Sequence, residues 1–485
     1  MNYLGWSLAG GLLAFIWMKR QRMGVYFSAS NMEPDSVAGL LASHFKPIPV
    51  NDITITERKF PFRVRADLQR AVDGIFEKNS EIDHFFGVRR EYSHEGVTLS
   101  DCLVESEHNA AVSIPPEHEE LDVGDDQLVQ VLKNGLWMLR SNGTPYVVLL
   151  TQSGQYGCVT GLQFQVGTPN SADGTQIAQS FFKSLEEAIQ RAESYRGKIL
   201  SLEQGDHSYT GESSGIAVHK LRQVERDQVI LPESTLKLLE RNVIEFVRQR
   251  DRLAQFNQST KKGLLFYGPP GTGKTHTIHY LSRALEGHTT LLISAEQVGL
   301  LSEYMTLARL LQPSIVVMED VDLIARDRTE MNSPCEEVML NKLLNEMDGL
   351  KEDADILFVL TTNRPETLEA ALASRPGRID QAIEFPLPDD DGRAKLVALY
   401  SQEVDLNAEG VAEIVRRTDG VSAAFIKELM RRVVQYHIER EGSGTISRSD
   451  VDQALDEMLF KGGALNLRLL GATENPQEVR GCEVS

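Results

Sequence analysis

From residue 220 to 391 the chain repeats one pattern, a short and mostly apolar run followed by a longer stretch with apolar residues three and four apart. The runs fall at 264–267, 290–294, 315–318, 356–360 and 382–385. A strand buried on one face alternates apolar and polar residues, whereas a strand buried on both faces reads as an unbroken run. Such runs separated by helical stretches predict an α/β fold, a doubly wound parallel sheet with helices on both faces. After Asp391 the period is helical throughout, over 393–400, 408–417, 423–439 and 449–459, with Ser449-x-x-Asp452 as a capping box for the last helix. Before Gln204 the signals are mixed: 66–76 and 176–195 read as amphipathic helices, and 137–140, 146–151 and 162–166 as strands. Asn142-Gly143 is a hairpin signal between the first two of these strands. The polar, Gly- and Ser-rich stretch 205–215 reads as part of a linker. These shifts divide the chain into an apolar segment (1–32), a separate mixed α/β domain (33–204), a linker (205–219), an α/β domain (220–390), a helical domain (391–462) and a tail (463–485).

Length agrees with several domains, because 485 residues exceed what one hydrophobic core holds. The net charge of −20 argues against a nucleic-acid partner gripped through phosphates. The four cysteines (Cys102, Cys158, Cys335, Cys482) never fall as C-x-x-C and read as reduced thiols of a cytoplasmic protein. The apolar run 3–18 is followed at once by Lys19, Arg20 and Arg22, an order opposite to that of a cleaved secretory signal. As a helix it would reach about 24 Å, short of the roughly 30 Å hydrocarbon core. Two readings stay open. One is a membrane anchor with the basic cluster, and the chain after it, on the cytoplasmic side; the other is a protein that truly starts near Met23 or Met32.

The strongest chemical signal is G-x-x-x-x-G-K-S/T, met by Gly268-Pro269-Pro270-Gly271-Thr272-Gly273-Lys274-Thr275. It follows an apolar strand and opens a helix with Ile278, Leu281 and Leu285 on one face, which is the context the motif requires. Glycines let backbone N–H groups wrap phosphates, and the helix N-terminus adds partial positive charge. Lys274 is placed to reach the β- and γ-phosphates, and the Thr275 hydroxyl to bind Mg²⁺. The second signal is the run 315–318 ending in Glu319-Asp320, two carboxylates at the end of a buried strand, where parallel sheets bind ligands. One acid can hold Mg²⁺ and the other can orient an attacking water. Asn363 ends another strand and could touch the γ-phosphate or that water. His276 flanks the loop as a further nucleotide-side residue; with His279 it reads mainly as packing.

GPPGTGKT, the acidic strand end, LLNEMDGL (343–350), TTNRPE (361–366) and SRPGRID (374–380) resemble the AAA ATPases in order and spacing. The resemblance covers about 227–459. It implies a five-stranded sheet with a helical lid and a homo-oligomeric ring, usually a hexamer, with ATP at the subunit interfaces. It implies that Lys274 and Thr275 are Walker A, Glu319 and Asp320 Walker B, and Asn363 sensor 1, with Arg375 and Arg378 as arginine fingers toward a neighbouring subunit. The acids stand in the reverse of the family's usual order. That order and the lead-in RDQVILPE (226–233) are similar to the mitochondrial AAA chaperones that assemble respiratory complex III. No aromatic-hydrophobic-glycine pore loop follows the run 290–294, where residues 297–305 read QVGLLSEYM. One residue more than usual precedes RPGR. The expectation is a Mg·ATP-hydrolysing ring that remodels or translocates a protein client recognised by 33–204. The alternative is an ATP-switched scaffold or assembly factor with slow turnover and no threading.

Overall fold

The computed structural model describes residues 36–79, 81–90, 96–104, 110–155, 158–204, 213–322, 345–347, 349, 354–366, 378–402, 404–440 and 445–461. Their first half folds around an antiparallel sheet of seven strands: β1 (Ile53–Pro61), β2 (Glu81–Arg89), β3 (Val112–Ile114), β4 (Glu117–Leu121), β5 (Val129–Ser141), β6 (Thr144–Gln155) and β7 (Cys158–Pro169). The order is β1-β7-β6-β5-β2-β3, with β4 on β5. Asn142 and Gly143 both take positive φ (50° and 82°), the conformation a two-residue turn needs to match strand twist, and they join β5 to β6. The helices Arg65–Asn79 and Ala172–Arg191 cover one face, packing Leu68, Val72, Phe76, Phe181 and Phe182 against Trp137, Val148 and Phe164. The helices Val37–Phe45 and Leu99–Leu103 cover the other.

The second sheet is parallel apart from one edge strand. It comprises β8 (Ile199–Gln204), β9 (Ser213–Val218), β10 (Lys262–Tyr267), β11 (Thr289–Ile293), β12 (Ser314–Met318), β13 (Ile356–Thr362) and β14 (Gln381–Glu384), in the order β14-β10-β13-β12-β11-β8-β9. Strands β10 to β14 coincide with the five apolar runs. The expected five-stranded sheet is nonetheless extended to seven: β8 pairs parallel with β11, and β9 antiparallel with β8. The boundaries at 204 and 219 therefore need correction, since the stretch read as linker contains β9 and the last strand of the N-terminal region belongs to the second sheet. The N-terminal half is not separate either. Ala66, Leu121 and Val131 share one buried cluster with Leu202, Leu291, Tyr304 and Val316, and Arg63 pairs with Glu303 at 3.3 Å across the junction.

Beyond β14, the helices Asp390–Tyr400, Ala408–Arg417, Ala423–Glu439 and Arg448–Asp456 pack around Leu396, Val397, Phe425, Leu429 and Leu455. The last helix is capped by Ser447 and Asp450, two residues earlier than the sequence suggests. Ile446 before the cap and Val451 in the first turn lie in the same buried cluster, the staple that selects this start over Ser449. No helix among the described residues is long and apolar enough to cross a membrane. The run 3–18 and the tail 463–485 lie outside the described residues.

Candidate functional site

Strand β10 ends at Tyr267, and the chain turns through Gly268, Gly271 and Gly273 (φ 146°, 76° and 100°) into the helix Lys274–Ala284. Space is as restrictive as conformation at two of these positions. A Cβ on Gly268 would stand 2.2 Å from the Phe385 carbonyl oxygen, and one on Gly271 would stand 2.9 Å from Ser422 Oγ. The helix has no side-chain cap, so its first amides are left for a ligand. A cleft of about 400 Å³ opens over this loop. Residues 228–231 form one wall, Asp320, Thr361 and Asn363 the floor, and Leu396, Tyr400 and Lys427 of the helical domain the far side.

Lys274 is only 7% exposed, and its Nζ donates to the carbonyls of Gly268 (2.7 Å) and Pro269 (2.9 Å). Burial pushes its pKa down to about 8, opposed by the charges of Asp320 and Asp322. The Thr275 hydroxyl donates to Glu319 Oε1 at 2.7 Å. These two hard oxygens suit Mg²⁺, which takes one or two protein ligands and completes its shell with phosphates and water. The two acids diverge. Glu319 faces the loop hydroxyl, whereas Asp320 takes a left-handed backbone (φ 50°) that turns its carboxylate to Asn363, whose Nδ2 donates to Asp320 Oδ1 at 2.9 Å. The Asp320 amide donates to Thr361 Oγ1 at 3.0 Å, tying the ends of β12 and β13 together.

His276 Nε2 stands 3.1 Å from the Gln228 carbonyl oxygen, so that nitrogen carries the proton and ties the helix to the lead-in wall. Burial lowers its pKa, and that of His279 as well. Arg378 lines a different cleft, with Lys262, Phe246 and Asp380 at the start of β10. A Cβ on Gly263 would meet its carbonyl oxygen at 2.1 Å. Arg375 lies outside the described residues.

Sequence reasoning singled out the lead-in 226–233 only as a likeness and gave its residues 228–231 no place in the site, and it missed Lys427 and the buried Asp322, neither of which stands in a motif that reads on its own. The segment after β11 carries no projecting loop. Residues Ala295–Leu300 form a 3-10 turn with Val298 and Leu300 buried, and Tyr304 is a fully buried core residue. The Leu202 amide donates to Tyr304 Oη at 2.8 Å, Gln297 Nε2 donates to the Leu202 carbonyl at 2.8 Å, and the Tyr304 hydroxyl donates to Gln297 Oε1 at 3.0 Å.

The family model "ATPase family associated with various cellular activities (AAA)" matches residues 264–387. Similar curated proteins include the proteasome-activating nucleotidase of Methanococcus vannielii, 28% identical over 280 residues that make up 56% of this chain and 64% of that protein. The 26S proteasome regulatory subunit 8 of Caenorhabditis elegans is 29% identical over 287 residues, 52% of this chain and 67% of that protein. The ATP-dependent zinc metalloprotease FtsH 2 of Symbiobacterium thermophilum is 30% identical over 255 residues, 49% of this chain and 42% of that protein. The chain thus spans between 42% and 67% of the length of these relatives. The matched segment, residues 264–387, is similar to AAA ATPase domains, and its parallel sheet and phosphate loop have the α/β P-loop arrangement. These similarities do not support the narrower likeness to complex III assembly chaperones, which rests on the reversed acids, the lead-in and the apolar N-terminal segment.

Proposed function

We propose that the chain hydrolyses Mg·ATP as a subunit of a closed homo-oligomeric ring, six by family resemblance, and uses the cycle to switch a protein client between states without threading it. The observation that carries the chemistry is the convergence of Lys274, the Thr275–Glu319 pair and the Asp320–Asn363 pair on one cleft beneath the helical domain. In this reading residues 268–276 hold the nucleotide, with Lys274 on the β- and γ-phosphates. Thr275 and Glu319 hold Mg²⁺, which supplies charge neutralisation across the phosphate oxygens. Asp320 orients the attacking water, Asn363 fixes Asp320, and Arg375 and Arg378 act on the next subunit's nucleotide. The relatives' names point to proteins as clients, a net charge of −20 disfavours nucleic acid, and a cytoplasmic setting supplies the ATP.

The turn Ala295–Leu300 favours switching over threading, because Val298, Leu300 and, in the helix after it, Tyr304 point into the core and no aromatic-hydrophobic-glycine triplet stands there. The test is turnover of the full chain, together with the fluorescence of a folded reporter protein bearing an unstructured tail. ATP hydrolysis with the reporter left folded is expected. Processive loss of fluorescence would establish threading, and absence of Mg-dependent hydrolysis would overturn the catalytic reading.

A further inference from the structure

We infer that Asp322 is a positioning residue for hydrolysis, holding the backbone at Thr362 and Asn363 so that the Asn363 carboxamide meets Asp320. This deepens the proposed function and rests on the roles given there to Asp320 and Asn363. Asp322 is 1% exposed and lies beneath the floor of the cleft, so it acts through its neighbours. Its Oδ1 accepts the Thr362 hydroxyl at 3.0 Å and the Asn363 amide at 3.1 Å. Thr362 Oγ1 in turn accepts the Arg364 amide at 2.9 Å, which leaves the hydroxyl proton directed at Asp322. Asn363 Nδ2 reaches back to Asp320 Oδ1 at 2.9 Å. The result is a closed circuit: Asp320 and Asp322 in the segment that follows β12, Thr362 and Asn363 at the end of β13, with Asp320 in a left-handed conformation.

The circuit explains how a shortened carboxylate can serve as the water-side acid. Asp320 lacks the reach of a glutamate, so its position depends on what holds it, and its carboxylate contact is the carboxamide that Asp322 fixes. Remove Asp322 and two buried donors lose their acceptor, so the chain at Asn363 shifts to recover one. A misplacement of about 1 Å near the reacting group costs roughly a hundredfold in rate. The nucleotide's own contacts lie outside this circuit, since Lys274 and Thr275 bind from the loop; Asp322 reaches them only through its charge on Lys274, which a change of affinity would report.

The experiment measures kcat, KM for Mg·ATP and equilibrium Mg·ADP affinity of the full chain carrying Asp322→Leu, Asp322→Asn, Asn363→Ala, and Asp322→Leu with Asn363→Ala. Asp322→Leu is expected to lower kcat roughly a hundredfold with KM and ADP affinity within about threefold. Asp322→Asn, which keeps one acceptor oxygen, should recover most of that loss. The double variant should turn over no more slowly than Asn363→Ala alone, because both lesions break one circuit. Multiplying losses, a raised KM at unchanged kcat, or no recovery in Asp322→Asn would each overturn the inference. Where Asp322→Leu fails to fold, Thr362→Val, which replaces the hydroxyl by a methyl and breaks one of the two bonds to Asp322, should give a smaller loss of kcat with KM unchanged, and unchanged kcat would overturn the inference. A wild-type chain without turnover would sink the proposed function itself, a result separate from any of these.

Discussion

A lysine ammonium enclosed between two carbonyl oxygens gives up most of its hydration, and for Lys274 burial lowers the pKa from 10.5 to about 8. Bound phosphates favour the charged form. Below about pH 8 the ammonium is already charged, so no lysine-linked proton should accompany ATP binding. Above it the free site is neutral, so binding should take up close to one proton while affinity falls up to tenfold per pH unit. Calorimetry in two buffers of different ionisation heat at pH 7 and pH 9 reads this directly, and Lys274→Ala should bind no nucleotide at either. The sign for stability is opposite: the unfolded chain keeps this proton up to 10.5, so the nucleotide-free fold should gain stability as pH rises from about 8 towards that value. The reversed acids make a second residue-scale case. Asp320→Asn should keep Mg·ATP binding and lose about 10²-fold or more in turnover, whereas Glu319→Gln should weaken Mg²⁺ dependence and nucleotide affinity together. Asp320→Glu, with a longer side chain in a place fitted by Asn363, should be slower than wild type. Normal turnover in Asp320→Asn with a dead, tightly binding Glu319→Gln would invert the two roles.

At the scale of elements, β8 is the join between the halves of the molecule, and it is held at Leu202 by Tyr304 and Gln297. Tyr304→Phe keeps the ring in its buried slot but leaves the Leu202 amide without its acceptor, so unfolding stability should drop by about 1–3 kcal/mol. Urea unfolding measures the loss, and an unchanged midpoint would mean that β8 is not anchored there. The same strand shows where sequence reading runs out. Strands β10 to β13 were legible because both faces are buried and the runs are unbroken, β14 only from its short run at the sheet edge, and the helices Ala408–Arg417 and Ala423–Glu439 because their period is strong. The hairpin was legible at Asn142-Gly143 because the turn needs positive φ at two successive residues. β8 and β9 were not, since ILSLEQ alternates over only six residues and β9 begins inside a polar, Gly- and Ser-rich stretch. The loop 268–275 announces its chemistry through residue types at fixed spacing. Asp322 does not, because its importance comes from a bond to a residue 41 positions away.

For the whole molecule, the question is whether one chain holds a complete site. Its own cleft is lined by the lysine, Asp320 and the asparagine, with Glu319 bonded to the lining Thr275, while Arg378 lies at the start of β10, in a cleft of about 480 Å³ with Lys262 and Asp380. Four residues of strand at about 3.3 Å each separate Gly263, where Arg378 packs, from the strand end that opens the phosphate loop. With its backbone at that end of the strand, Arg378 is proposed to serve a transferring phosphoryl group of another copy. Arg378→Ala should therefore retain ATP affinity within about threefold and lose turnover by about 10³–10⁵, the range an arginine finger contributes. Lys274→Ala should lose binding and turnover alike. Each mutant supplies what the other lacks: a Lys274→Ala subunit still offers Arg378 to its neighbour, and an Arg378→Ala subunit still binds ATP. Mixed rings then contain some interfaces with both groups intact, and turnover should rise above that of either mutant alone, peaking near equal proportions. The measurement is steady-state ATP hydrolysis across a mixing series, with subunit exchange verified by fluorescence transfer between labelled chains. Exchange without any recovery of turnover would exclude a site shared through Arg378.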